Sequence, residues 1–132
     1  MKTIKKKKKI FFISPVRSRV GKRTQVAIEE YVRKCEKEGY EVHYPARDTK
    51  QDDPSGGYNV CRDNFQAFIE ADEIHIWYLE KSNGSKFDFG GVFMYCEMLG
   101  HKKRIHIVNK KQAEARDKKK KSFLKVMKHL TD

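Results

Sequence analysis

The sequence predicts an α/β fold, a three-layer sandwich in which helices cover both faces of a parallel sheet. Short apolar runs alternate along the chain with longer segments whose apolar residues recur every three or four positions. The first pattern is typical of buried strands and the second of amphipathic helices. Strands that alternate with helices favour right-handed crossovers, and these make neighbouring strands run in the same direction.

Each element has its own signal. Ile10–Ile13 is a purely apolar run and predicts the first strand, and Thr24–Glu38 has helical periodicity and is ended by Gly39. Pro45 stops a short second strand, Tyr40–Tyr44. A loop or lid over 46–57 follows, and then a helix over Tyr58–Ala71, whose apolar stripe is Cys61, Phe65, Phe68 and Ile69. A strand over Glu73–Leu79 leads to a helix over Phe87–Leu99, whose stripe is Val92, Tyr95, Cys96 and Leu99. The chain ends with a strand over Arg104–Val108 and a last helix in which Phe123, Val126, Met127 and Leu130 face the sheet.

This order of elements predicts a flavodoxin-like or Rossmann-like sandwich with strand order 2-1-3-4. We expect one α/β domain over residues 10–132, preceded by a basic, flexible tail over residues 1–9. In such a sheet, ligands bind at the carboxyl ends of the strands, where the strand order reverses. The crevice should therefore lie above the first and third strands, between Ser14–Arg23 and Leu79–Asp88.

The charge of the chain is strongly positive but unevenly distributed. The net charge is +12, and twelve lysines lie at 2, 5–9, 110–111 and 118–121, so the body of the domain is nearly neutral. These lysines allow nonspecific nucleic-acid contact, or they only keep the protein soluble. No apolar run approaches the length of a membrane span and no signal peptide is evident, so we expect a soluble, cytoplasmic protein. The three cysteines fall on predicted apolar stripes and are expected in the core.

Two strand ends carry residues suited to binding an anion. The third strand is followed by SNGSKFDFG at residues 82–90, and the first by SPVRSRVGKR at residues 14–23. Glycines let a backbone approach a ligand closely, serines offer hydroxyl groups, and a helix start favours phosphate. A simpler alternative is that Ser85 caps the helix and that Asp88 only interacts with the helix dipole.

Three segments together resemble the nucleoside 2-deoxyribosyltransferases and the related deoxynucleoside-monophosphate N-glycosidases. The first is FISP at residues 12–15 with the arginines after it, and the second is NFQAFIEAD at residues 64–72, similar to the form D-L-x-x-[LI]-x-x-x-D. The third, at residues 82–90, resembles S-x-G-x-x-[YF]-E-[LM]-G, in which the Glu is the nucleophile of the family. Asp88 occupies the position of that Glu. Asn64, which follows Asp63, occupies the position of an Asp that engages the sugar in the family.

The resemblance implies a site and a reaction. Asp88 would act on the N-glycosidic bond, while Asp63 or Asn64 would hold the sugar hydroxyls. The groups implied around a phosphate are Ser14, Arg17, Arg19, Ser82, Gly84 and Ser85. Relatives complete their site across subunits, so we expect a homodimer or larger, in which Phe93, Met94 and Met98 are buried by a partner.

Three hypotheses of different classes follow. The protein cleaves or transfers at the N-glycosidic bond of a nucleoside or nucleotide, or it binds a nucleotide without turnover, sequestering or sensing it. A third is a nucleic-acid-associated protein that works through its lysines. We expect no cofactor and no metal, because the sequence has no G-x-G-x-x-G or P-loop pattern and its histidines and cysteines lack the spacing of metal ligands.

Overall fold

The computed structural model of the chain describes residues 6–16, 20–100 and 103–131. Strands and helices alternate through these ranges. The elements are β1 Lys9–Ile13, α1 Lys22–Lys37, β2 Glu41–His43, α2 Pro45–Asp48, α3 Tyr58–Glu70, β3 Glu73–Ile76, α4 Asn83–Leu99, β4 Arg104–Ile107, α5 Lys110–Arg116 and α6 Phe123–Leu130.

The strands form one parallel sheet in the order β2-β1-β3-β4, which confirms the predicted order. Ile10 of β1 is paired with Val42 on one side and with Glu73 on the other, and Ile74 of β3 is paired with Ile105 of β4. Helices pack on both faces, so the predicted α/β sandwich is also confirmed. Strands β1 and β3 are central, and this places their carboxyl ends side by side in the middle of one edge.

The core explains why the central strand β1 contains an unbroken apolar run, Ile10–Ile13. Ile10 and Phe12 point to α1 and pack in a cluster with Ile28 and Val32. Their neighbours along β1 belong to a second cluster on the opposite face, with α3, α4, α5 and α6. Because both faces of the sheet are covered, alternate residues of β1 are equally buried and its sequence shows no polar alternation.

A buried polar network crosses the α1 face of the sheet near its amino end. The Tyr31 hydroxyl lies 2.6 Å from Nδ1 of His75, and Nε2 of His75 lies 3.0 Å from a carboxylate oxygen of Glu73. Burial lowers the pKa of His75, so its ring is neutral near pH 7. Both ring nitrogens are occupied inside the fold, and this histidine is therefore structural.

A buried lysine holds the carboxyl end of α3. Nζ of Lys103 donates to the carbonyl oxygens of Ile69 and Ala71 at 3.0 and 2.5 Å, and it lies over the rings of Phe68 and Tyr95. A cation at this place satisfies carbonyls that the helix leaves without partners and opposes the negative end of the helix dipole. Lys103 thereby fixes α3 against α4, and these two helices form the walls of the cleft described below.

The predicted apolar stripes were wrong in part. On α3, Phe68 is buried, whereas Cys61, Phe65 and Ile69 are exposed, so Cys61 is not the core residue that we expected. Leu99 of α4 is likewise exposed. On α6 the buried side chains are Leu124, Met127 and Leu130, while Phe123 and Val126 are largely exposed.

Several boundaries also differ from the prediction. The short helix α2 lies at the start of the predicted loop, with Pro45 at its first position, where proline is well tolerated. Helix α4 begins at Asn83 rather than Phe87. Helix α5 lies in a lysine-rich segment for which no helix was predicted, because it buries one small side chain, Ala113, and so shows no apolar period.

Candidate functional site

A cleft lies at the carboxyl ends of β1 and β3, between α3 and α4. It has two compartments. The first, which we call the serine compartment, has a volume of about 220 Å³ and is lined by Ser14, Pro15, Val16, Pro45, Ala46, Gln51, Val60, Cys61, Asn64, Ser82, Gly84, Phe87 and Asp88. Five of the nine residues proposed from the sequence thus come together here, namely Ser14, Asn64, Ser82, Gly84 and Asp88.

The second, which we call the aromatic compartment, has a volume of about 390 Å³ and is almost wholly apolar. Its lining is Phe11, Ile13, Cys61, Asn64, Phe65, Phe68, Ile69, Phe87, Asp88, Gly91, Val92, Met94, Tyr95, Met98 and Leu99. Phe65 and Phe87 are 60% and 69% exposed, so aromatic surface is left open to a ligand or a partner. Asn64 and Asp88, together with Cys61 and Phe87, line both compartments and mark the place where they meet.

Asp88 is the carboxylate of this junction. It lies in the second turn of α4, and among the described residues it makes no hydrogen bond or ion pair. Burial alone raises its pKa from 3.8 to about 6. A buried carboxyl group with a raised pKa in a cleft is a candidate functional group.

Two serines build the amino end of α4. Ser82 is the N-cap, because its Oγ accepts a hydrogen bond of 3.3 Å from the Ser85 N–H, and the same hydroxyl donates to Oγ of Ser85 at 2.8 Å. The alternative in which Ser85 is the cap is therefore wrong. Ser85 is 1% exposed and lines neither compartment, so it supports Ser82 rather than facing a ligand.

The first turn of α4 leaves donors at the serine compartment. The first backbone N–H groups of a helix have no partner within the helix, and here they belong to Asn83 and Gly84. A Cβ at Gly84 would meet nothing within 4 Å, so this glycine leaves open space beside its own N–H. The positive end of the helix dipole favours a negative charge at this place.

Asn64 is held by a chain of hydrogen bonds that starts behind the cleft. Nε2 of His43 lies 2.8 Å from Oγ1 of Thr49, and the Thr49 hydroxyl donates to Oδ1 of Asn64 at 2.7 Å. Since Oδ1 is already an acceptor, the amide nitrogen is the end of Asn64 that is left to donate to a ligand. Burial lowers the pKa of His43, so this row of three hydrogen-bonded side chains is uncharged near pH 7.

Three of the proposed residues remain, Asp63, Arg17 and Arg19. Asp63 is exposed and lines neither compartment, so the cleft receives the amide of Asn64 in place of its neighbouring carboxylate. Arg17 and Arg19 lie outside the described residues. Within the ranges that the structure describes, no three His, Cys, Asp or Glu side chains are grouped to hold a metal ion, and no helix is long and apolar enough to cross a membrane.

The sequence did not predict the aromatic compartment or the Thr49 contact. A signal for the first existed, because Phe87, Gly91, Met94 and Met98 are spaced as one helix face, but we assigned only part of that face, as a contact with a partner. The Thr49 contact depends on tertiary structure, which brings a loop residue onto α3.

Comparison of the chain with protein-family models, with curated proteins and with solved structures found no significant match. The resemblance to deoxyribosyltransferases therefore rests on the three motif segments.

Proposed function

We propose that the cleft binds a nucleoside or nucleotide and that Asp88 acts on its N-glycosidic bond. The observation that carries this proposal is the position of a single carboxylate at the junction of two compartments of different chemistry. A nucleotide has the same division, because a polar sugar phosphate is joined to a flat, largely apolar base by one bond. That bond would lie beside Asp88.

The sugar and phosphate occupy the serine compartment. Ser14 offers a hydroxyl group there, and the first turn of α4, capped by Ser82, offers backbone N–H groups and a positive dipole end. The amide of Asn64 donates to a sugar hydroxyl. The base enters the aromatic compartment, where Phe65 and Phe87 present exposed rings.

The chemistry requires the ionised form of Asp88. As the bond from the anomeric carbon to the base nitrogen breaks, its electron pair leaves with the base, which takes a proton from water, and positive charge develops on the sugar. The Asp88 carboxylate bonds to the anomeric carbon, and water then hydrolyses the glycosyl ester and restores the carboxylate. A pKa of about 6 leaves most of the carboxylate ionised at pH 7. Of the residues that the structure describes, Asp88 is the one carboxyl group lining either compartment, which favours this route over one that needs a paired acid and base.

Binding without turnover is the second candidate, and one observation favours it. The acid at the junction is an Asp where the family it resembles has a Glu, so the carboxylate reaches one methylene less far. A misplacement near 1 Å can cost on the order of 10²-fold in rate. In that case the cleft sequesters or senses a nucleotide.

The chain also forms a homodimer or larger assembly through α4. Phe93, Met94 and Met98 are 39%, 55% and 74% exposed, and a Cβ at Gly90 or Gly91 would meet nothing within 4 Å. Residues 87–99 contain no lysine or arginine, although the chain has 30. Interfaces are depleted of lysine and enriched in aromatic residues and methionine, so this surface suits a second copy.

We also place the protein in the cytoplasm, in keeping with free Cys35, Cys61 and Cys96.

A thermal-shift experiment tests binding separately from chemistry. A ligand that binds the folded state raises the melting temperature by mass action. We expect a deoxynucleoside monophosphate to raise it more than the matching nucleoside does. Asn64→Ala should reduce this shift, whereas Gln66→Ala, an exposed change on the same helix, should preserve it. If a broad panel of nucleotides leaves the melting curve unmoved, the proposal is wrong.

A further inference from the structure

A second cavity lies on the other side of the segment that follows β3. It has a volume of about 410 Å³, and none of its lining residues lines the cleft. Its walls include Thr24, Trp77, Asn109, Gln112, Arg116 and Lys118. We call it the tryptophan cavity, because it contains the one tryptophan of the chain.

The indole of Trp77 is partly buried on a rigid backbone. The backbone N–H of Trp77 donates to the backbone carbonyl oxygen of Ile13 at 2.8 Å. Asn109 accepts from the N–H of Tyr78 at 2.8 Å and donates to its carbonyl oxygen at 2.9 Å. The end of β3 is therefore fixed on both sides, and the indole is an ordered aromatic wall of the cavity.

The acidic side chains of this cavity are already paired within the fold. Glu80 accepts from Nζ of Lys119 at 2.5 Å and from the Tyr78 hydroxyl at 2.7 Å. Asp117 accepts from the Ser122 hydroxyl at 2.6 Å and from Nζ of Lys125 at 3.2 Å. The negative charges are thus compensated internally.

Several cations at the same place have no acidic partner among the described residues. These are Lys81, Arg116 and Lys118 in the cavity wall, with Lys120 and Lys121 beside it, and all five are exposed. The cavity therefore presents a net positive surface next to an aromatic ring.

The lysine run 118–121 has a defined backbone. Asp117 accepts from the N–H of Lys119 at 3.2 Å, and Nζ of Lys125 donates to the Lys119 carbonyl oxygen. Ser122, which ends the run, is the N-cap of α6. The backbone of the run is therefore anchored at the cavity, where Lys118 and Lys119 share the lining with Trp77.

We propose that this surface binds single-stranded nucleic acid. The phosphates lie along Arg116, Lys118, Lys120 and Lys121, and one unpaired base enters the cavity and stacks on Trp77. A positively charged surface and an aromatic platform beside it are the two features by which proteins hold single strands without reading sequence. A duplex could not offer a base to the cavity without unpairing it.

Trp77 is also the probe for the test. Intrinsic tryptophan fluorescence of the full chain should be quenched by an oligothymidylate or oligouridylate of about 12 nucleotides, because a stacked base quenches the indole. A duplex and vesicles of phosphatidylserine and phosphatidylcholine should quench far less. Equal quenching by the vesicles or by the duplex would overturn the proposal. It would also be overturned if neither oligonucleotide quenched the fluorescence.

Charge-matched variants then locate the binding. Replacing Lys118, Lys120 and Lys121 by Ala should reduce the slope of log affinity against log salt by about 2, since each lost contact with a single strand contributes about 0.7. The control replaces Lys7, Lys37 and Lys50 by Ala, which removes the same charge elsewhere, and should keep most of the slope. Trp77→Leu should weaken binding about tenfold and leave the slope unchanged. Equal losses in the two triple variants would show that binding has no defined site and would contradict the proposal.

Discussion

Asn64 of α3 and Asp88 of α4 both line the serine compartment and the aromatic compartment of the cleft. The two side chains differ in how they are held. Oδ1 of Asn64 is anchored by Thr49, whereas the carboxylate of Asp88 makes no hydrogen bond or ion pair among the described residues. The fold therefore fixes the orientation of Asn64 and leaves the carboxylate of Asp88 without such support.

This lack of support predicts that Asp88 lowers the stability of the fold near neutral pH. The folded chain binds the Asp88 proton more tightly than the unfolded chain does, because burial raises the pKa from 3.8 to about 6. The free energy of unfolding therefore decreases as the pH rises from about 4 to about 6, and the loss persists above that. Asp88→Asn removes the effect, so the variant should be more stable than the wild type at pH 7, by up to about 3 kcal/mol.

Urea unfolding at several pH values between about 4 and 7 measures this difference. The gain should be small at the acidic end, should grow as the pH rises to about 6 and should stay constant above that. Asp63→Asn, which removes an exposed carboxylate from the facing helix, controls for net charge. A gain that is the same at every pH would refute the assigned cause.

The second prediction concerns the chain from His43 through Thr49 to Asn64. Thr49→Val keeps the shape of the side chain but removes the hydroxyl that fixes Asn64, so nucleotide affinity should fall about three- to tenfold, the worth of one hydrogen bond. Thr49→Ser keeps the hydroxyl and should keep the affinity. Titration calorimetry compares the two variants. If a folded Thr49→Val protein binds the nucleotide as tightly as the wild type does, these hydrogen bonds have no role in positioning Asn64.

The third prediction concerns assembly. Light scattering at micromolar concentration should report a dimer or larger. Met98→Glu replaces the most exposed apolar side chain of α4 by a charged one and should produce monomers. Val26→Glu makes a similar change at an exposed position of α1 and should not. A wild-type monomer would contradict the proposed α4 interface.

The fold was predictable because its buried elements have recognisable patterns of apolar residues in the sequence. β1 and β3 are both buried on both faces, and the apolar run of β1 predicted the first of them directly, whereas β3 carries two buried polar residues, Glu73 and His75. The alternation of strands with helices predicted the parallel order. The stripe on α3 was misread because Phe65 and Ile69 are apolar for another reason. They line the aromatic compartment and do not pack in the core.

The site was predictable where it depended on topology. Ser14 and Ser82 follow strands that proved to be adjacent, so the sheet brings them to one cleft. The start of α4 was misplaced because Asn83-Gly84-Ser85 has the composition of a turn, although Ser82 caps a helix there. The Thr49 contact and the raised pKa of Asp88 are consequences of packing between elements, which no local pattern records.

Release of free base from deoxynucleoside monophosphates, followed by chromatography, tests the central claim most directly. We expect release by the wild type that rises with pH through about 6 as Asp88 ionises. Asp88→Asn should lower it by orders of magnitude with binding largely preserved, because the attacking charge is lost while the size of the side chain is kept. Asp88→Glu should match or exceed the wild type, since it restores the longer reach. Base release that survives Asp88→Asn would remove Asp88 from the mechanism and contradict the account.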